Sequence, residues 1–270
     1  MSMPPRKRRF SFDDSTSVIT APMSPLTIAR PPTIAGLTWI KEGWRLFKLA
    51  PVPWTGMTAL VFLVLMGFGM LPVVGGLLVH VLSPFVVAGF LAASRGGERG
   101  EPITFVYLGA GWREGRDALL VIGVAYMLAT LLIFHLVGFL TGGDLEALLR
   151  QAQNPGALTP EEAERMVSTA LPALGLGSLL FAPLLMATWF SPGLVLFERF
   201  PAGRALWWSF WACAVNWRPI LYYSLILGLA GIVAVLIPFG LGLLVFVPWT
   251  LTSTYAAYRD IFVPVESPGP

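Results

Sequence analysis

No Asp, Glu, Lys or Arg occurs from Leu49 to Ser94, from Ala118 to Gly143, from Met166 to Phe197 or from Pro219 to Tyr258. A helix needs roughly 20 residues to cross the hydrocarbon core of a bilayer, and every one of these runs exceeds that. The first and last are long enough to cross twice. A helix lying on a soluble core would carry a polar stripe, and these runs carry none. The chain is therefore predicted to be all-α and embedded in a membrane. Composition agrees, with 56% hydrophobic and 12% charged residues against about 25% charged in soluble domains. The single cysteine, Cys213, excludes an intramolecular disulfide and any cysteine-based metal cluster.

The runs divide into six crossings, at about residues 54–71, 73–93, 118–140, 171–197, 219–237 and 238–258. They pair as hairpins over about 54–93, 118–197 and 219–258 within a transmembrane domain of residues 34–262. Residues 1–33 read as a disordered basic tail. RKRR (Arg6 to Arg9) has no apolar segment behind it, so a cleavable signal peptide is not expected. Residues 263–270 read as a short C-terminal tail. With this division sixteen Lys and Arg fall on one side and only Arg150 and Arg165 on the other. The positive-inside rule then places both termini in the cytoplasm of a bacterial inner-membrane protein. Five acids, Asp144, Glu146, Glu161, Glu162 and Glu164, go to the opposite face. There TPEE (Thr159 to Glu162) has the cap, the proline and the acids that open a helix. The net charge of +3 thus reflects membrane orientation, and no nucleic-acid partner is expected.

Three apolar stretches share one set of ingredients: LPVVGGLL (Leu71 to Leu78), LPALGLGSLL (Leu171 to Leu180) and IPFGLGLL (Ile237 to Leu244). Pro72, Pro172 and Pro238 suit the start of a returning helix, where a missing N–H costs nothing. Pro84, Pro183 and Pro248 follow ten to twelve positions later and predict kinks at similar depth. An amphipathic segment precedes each hairpin. In GLTWIKEGWRLFK (Gly36 to Lys48), Lys41, Arg45 and Lys48 share a polar face opposite Trp39, Trp44 and Phe47. GRALWWSFWACAVNW (Gly203 to Trp217) is the third copy, and Ile103 to Arg116 is the fainter middle one. These are expected to lie in the cytoplasmic headgroup layer, with Trp39, Trp44, Trp211, Trp217, Lys41, Arg45, Lys48 and Arg218 as anchors. The whole reads as three parallel repeats about an axis normal to the membrane.

WIKEGWRLFKLAP (Trp39 to Pro51) and YAAYRDIF (Tyr255 to Phe262) carry a resemblance. The chain is similar to uncharacterised six-helix inner-membrane proteins of proteobacteria, families of unknown function. More remotely it resembles the membrane domain fused to some glycerophosphodiester phosphodiesterases. The resemblance covers about residues 34–262 and implies the six-helix fold and the location. Nothing here matches the phosphodiesterase catalytic domain, so no catalytic residue is implied.

Two ionisable residues fall inside crossings, His80 and His135. At about 1.5 Å per residue both lie roughly 10 Å from the outer helix ends. They form an intramembrane polar pair with three readings: structural hydrogen bonding, a proton path, or axial ligation of haem. No paired carboxylate within a crossing, H-E-x-x-H, G-x-S-x-G or phosphate-binding loop is present, and no cofactor or metal is expected. RGGERGE (Arg95 to Glu101) reads as a flexible loop, and REGRD (Arg113 to Asp117) as a self-paired charge group or a headgroup contact. Asn216 and Arg218 read as an interfacial anchor of the fifth crossing. Three functions remain open at this point. The leading one is a non-enzymatic scaffold, lipid-organising element or partner of an envelope protein. The others are a transporter or channel for a hydrophobic or amphipathic molecule, and a membrane enzyme or electron carrier using His80 and His135.

Overall fold

The structure, a computed structural model, describes residues 26–71, 74–141 and 160–264. Arg6 to Arg9, Pro72 and the stretch from Asp144 to Arg150 lie outside the described residues. The helices are α1 (Ala35–Leu49), α2 (Pro51–Gly69), α3 (Val74–Glu98), α4 (Ala110–Glu114), α5 (Arg116–Leu140), α6 (Pro160–Trp189), α7 (Ser191–Glu198), α8 (Ala202–Val215), α9 (Trp217–Leu236) and α10 (Leu241–Ile261). Among the described residues six stretches are long and apolar enough to cross a membrane: Pro51–Gly69, Val74–Glu98, Arg116–Leu140, Ala170–Glu198, Trp217–Leu236 and Pro238–Ile261. They fall on the four charge-free runs, the first and last of which hold two spans each. Side chains such as Leu63, Met66, Leu132, Phe139, Leu179 and Leu229 are exposed along them. In water so much exposed apolar surface would drive aggregation, whereas a lipid tail solvates it.

The buried core is concentrated in one half of the bundle. It draws on α1, the second halves of α3 and α10, all of α7, and α8. Each short helix packs on the helix that closes the preceding hairpin. The 3₁₀ turn Phe105–Gly109 and α4 lie on α3, α8 lies on α6, and α1 lies on α10, so the first and last segments meet. The α1–α10 seam is backbone against backbone. A Cβ placed on Gly43 would sit 2.5 Å from the N and Cα of Ser253. Trp249 Nε1 donates to Ile40 O at 3.0 Å and Thr252 Oγ1 donates to Gly43 O at 2.9 Å. At two hairpin tips a glycine of the returning helix is equally confined. A methyl on Gly75 or Gly242 would collide with the carbonyl of Phe68 or Ala234. This is how small residues bring apolar helices close together.

The structure corrects several expectations. The ordered domain begins before residue 34 and runs past 262, because β1 (Leu26–Ile28) pairs antiparallel with β2 (Phe262–Pro264). Ala29 N–H extends the ribbon to Ile261 O at 2.8 Å. Asn216, read as an interfacial anchor, is buried instead, with Nδ2 donating to Ala29 O at 3.0 Å and Ala212 O at 3.1 Å. Trp39 is likewise no surface anchor. It is 2% exposed, and its Nε1 donates to Asp260 Oδ2 at 2.7 Å, because α1 lays its apolar face on α10.

Among the prolines, Pro172 does not begin a helix. It lies inside α6, Pro160–Trp189, whereas Thr159, read as the cap of that helix, lies outside the described residues. Pro84, Pro183 and Pro248, expected to kink their helices, all lie inside helices. A separate break comes at Phe190, ahead of Pro192. Two Ser-Pro pairs repair the backbone in the same way. A proline leaves the carbonyl four residues earlier without its N–H partner. Ser83 Oγ donates to that carbonyl, His80 O, at 3.0 Å, and Ser191 Oγ donates to Thr188 O at 3.1 Å. At the break, Ser209 of α8 accepts from Phe190 N–H at 3.0 Å and donates to Met186 O at 2.7 Å.

Candidate functional site

Between α3, α5, α6, α7 and α10 lies a cavity of about 390 Å³. Its walls are set by the two Ser-Pro sites, since Ser83, Pro84 and Pro192 all line it. Val79, Val87, Leu185 and Leu251 supply apolar wall, and His80, Tyr126, Thr188, Thr250 and Thr254 supply polar groups. None of its lining residues is Asp, Glu, Lys or Arg. Such a lining accepts an apolar or amphipathic guest and offers hydroxyls to a neutral polar one.

The hydroxyls are not equivalent. Inside a helix a Ser or Thr hydroxyl ordinarily bonds back to the carbonyl three or four residues earlier. Thr188 does so to Leu184 O at 2.9 Å, and Thr254 to Thr250 O at 2.9 Å. Thr250 does not, since its Oγ1 is buried without a hydrogen-bond partner among the described residues. An unpaired buried hydroxyl costs about 1–3 kcal/mol, and here it belongs to a residue of the cavity wall. The polar run TLTST (Thr250 to Thr254) was the sequence signal for this wall, five residues with four hydroxyls inside a charge-free stretch.

His80 belongs to the cavity, and His135 does not. His80 Nδ1 lies 2.7 Å from Gly76 O, and its ring faces Tyr126 of α5 at 5.5 Å between centroids. His135 comes nine positions after Tyr126 on α5, about 13 Å further along the axis. Its Nδ1 lies 2.8 Å from Leu131 O on its own helix. The two imidazoles are therefore not brought together, because α5 runs on past the start of α3 instead of ending level with it.

Beyond Val87 and Pro192 the cavity is closed by one packed layer. Leu91 and Leu194 are fully buried, and the Tyr258 ring and Leu91 close over Gly193 at 3.0 and 3.3 Å from where a Cβ would stand. Past that layer Tyr258 donates to Glu198 Oε1 at 3.1 Å, and Tyr255 donates to Glu98 Oε2 at 2.7 Å. Glu98 also pairs with Arg259. Of the other sequence anchors, Trp44, Trp211 and Trp217 are exposed, as are Lys41, Arg45, Lys48 and Arg218. The Arg218 guanidinium lies 5.3 Å over the Trp217 ring.

Cys213 faces into the core, and burial pushes its thiol up to about 12. The folded protein should resist maleimide at pH 8 and react fully once unfolded in detergent; rapid labelling of the native protein would contradict the burial. Because the folded value lies above the unfolded one, this thiol's contribution to stability is intact below pH 9. It falls as pH rises from there toward 12.

The chain is 27% identical over 259 residues to a protein of Burkholderia thailandensis named "Probable inner membrane protein", covering 87% of this chain and 93% of that one. It is an integral inner-membrane protein. No family model matches the chain, and no solved structure matches it. The likeness to phosphodiesterase membrane domains therefore has no support beyond the residues that prompted it.

Proposed function

We propose that this is a non-enzymatic inner-membrane protein that holds a lipid-like amphipathic molecule in the cavity between its helices, and so acts as a lipid-organising or scaffold element. The observation that carries the reading is the cavity itself, uncharged, largely apolar and edged by Thr250 with its unpartnered hydroxyl. A guest with an apolar body and a neutral acceptor satisfies both features. Passage of the same guest through the protein is the second reading, favoured by an uncharged lining contributed by five helices.

The wider architecture belongs to the same proposal. Three parallel repeats are supported by the cyclic docking of α4 on α3, α8 on α6 and α1 on α10. Both termini in the cytoplasm, with α1, α4 and α8 at the inner headgroup layer, is supported by the sixteen-to-two split of cations and by exposed Trp44, Trp211 and Trp217. An envelope-protein partner remains part of the scaffold reading.

The test is lipid retained after mild extraction, counted by mass spectrometry. Ser83→Trp fills the cavity and should abolish stoichiometric retention. Thr250→Val should weaken it while leaving the emptied protein as stable as before or more so, since the unpaired hydroxyl is gone. Equal retention in wild type and Ser83→Trp would sink the cavity reading. Flux of a fluorescent lipid across reconstituted vesicles would decide for passage over organisation.

A further inference from the structure

A second pocket, of about 240 Å³, lies on the far side of the Leu91–Leu194–Tyr258 layer. Arg95 and Arg99 reach it from the end of α3, Arg113 from α4, and Arg199 from the residue after α7. Glu101 and Glu114 are the acids in its wall. Both are already engaged. Glu101 Oε2 accepts from Tyr107 Oη at 2.6 Å, and Glu114 Oε2 accepts from Arg199 at 2.9 Å.

The remaining guanidinium groups keep donors in hand. Arg113 spends one N–H on Val106 O at 3.0 Å. The Arg95 guanidinium lies over the Phe197 ring, 4.7 Å from its centroid, a contact that uses none of its N–H donors. The Arg99 backbone N–H bonds to Arg95 O and Gly96 O, and its guanidinium makes no hydrogen bond or ion pair among the described residues. Four guanidinium groups against two carboxylates leave the pocket with a net positive charge of two.

Arg95 is half-buried and Arg99, Arg113 and Arg199 are exposed, and two further features shape the pocket that they share. Gly96 forms part of the wall, and a Cβ there would collide with the Tyr107 hydroxyl. The Tyr107–Glu101 pair therefore fits only over glycine. Arg199 has a left-handed backbone, φ 53°. L-residues avoid that region, and such residues gather at functional sites. It turns the guanidinium back across to Glu114, where it also donates to the backbone carbonyl at 2.6 Å.

We propose that this pocket binds a phosphate group, from either an anionic phospholipid headgroup or a soluble phosphate compound, through Arg95, Arg99 and Arg113. The guanidinium fork matches two phosphate oxygens at once, which an ammonium cannot do. Arg199 orients the wall through Glu114. This site is independent of the cavity on the other side of the layer, so Ser83→Trp leaves it untouched.

The experiment has two arms on the full-length protein. In one, pyrophosphate is titrated into protein in phosphatidylcholine nanodiscs. In the other, phosphatidylglycerol is doped into those nanodiscs and bound lipid is counted by native mass spectrometry. Saturable single-site binding is expected in at least one arm. Saturation by phosphatidylglycerol alone assigns the lipid headgroup, and saturation by pyrophosphate assigns a soluble compound. Arg99→Gln should weaken binding about tenfold or more, the loss expected for one charge-assisted hydrogen bond. Glu101→Gln should tighten it by removing a negative charge. Arg116→Gln, whose guanidinium pairs with Asp117 outside this pocket at 3.1 Å, should change nothing. Absence of saturable binding in both arms overturns the proposal. So does Arg99→Gln binding like wild type, or Glu101→Gln failing to tighten.

Discussion

Gly43→Val should separate α1 from α10 and destabilise the folded protein by about 3 kcal/mol or more. The clash is with the N and Cα of Ser253 at 2.5 Å, atoms that no rotamer change can move aside. The helices must part, and the bonds from Trp249 to Ile40 O and from Thr252 to Gly43 O go with them. Thermal unfolding followed by size exclusion reads the loss directly. A variant that melts with wild type would mean that α1 does not lie on α10 as described. Gly203→Val is the matched control, since no atom comes within 4 Å of a Cβ at that position.

Leu194→Ala should cost roughly 2–5 kcal/mol, because a fully buried leucine leaves both its transfer energy and a void behind. Leu91→Ala should cost a similar amount. The pair should fall short of the sum, since both side chains belong to the one layer around Gly193 and the second truncation opens space the first has already created. A loss under about 1 kcal/mol for Leu194→Ala would show that the layer is not the close-packed barrier between the two pockets.

The six spans were legible because absence of charge is a property of each run alone and needs no partner to be read. That Pro160, Glu161 and Glu162 are helical was legible for a similar reason, the proline and acids lying side by side in the sequence. What escaped depends on distant segments. LTI at Leu26 gives no strand signal by itself, and its partner lies 236 positions away. Trp39 reads as a lipid anchor until Asp260 and α10 are placed against it. Pro183 drew attention by its spacing, whereas the helix ends just ahead of Pro192, nine residues later; the clue was the serine before that proline, shared with Ser83–Pro84. The two histidines matched in distance from their helix ends, but those ends are not level. The arginine pocket gathers residues from the end of α3, from α4 and from the turn after α7; in the sequence Arg95 to Glu101 read as a flexible loop and Arg113 to Asp117 as a self-paired charge group or a headgroup contact, with nothing to join them.

The docking of α1 on α10 has a consequence for synthesis. Ile40 and Trp249 are 209 positions apart, so α1 leaves the ribosome long before its partner exists. Until then Trp39, Ile40 and Phe47 have only the bilayer surface to cover them, a place where an amphipathic helix can wait. A nascent chain halted before Leu241 would be left with that helix undocked and the β1 strand unpaired, displaying to a quality-control protease the segment that the finished protein encloses.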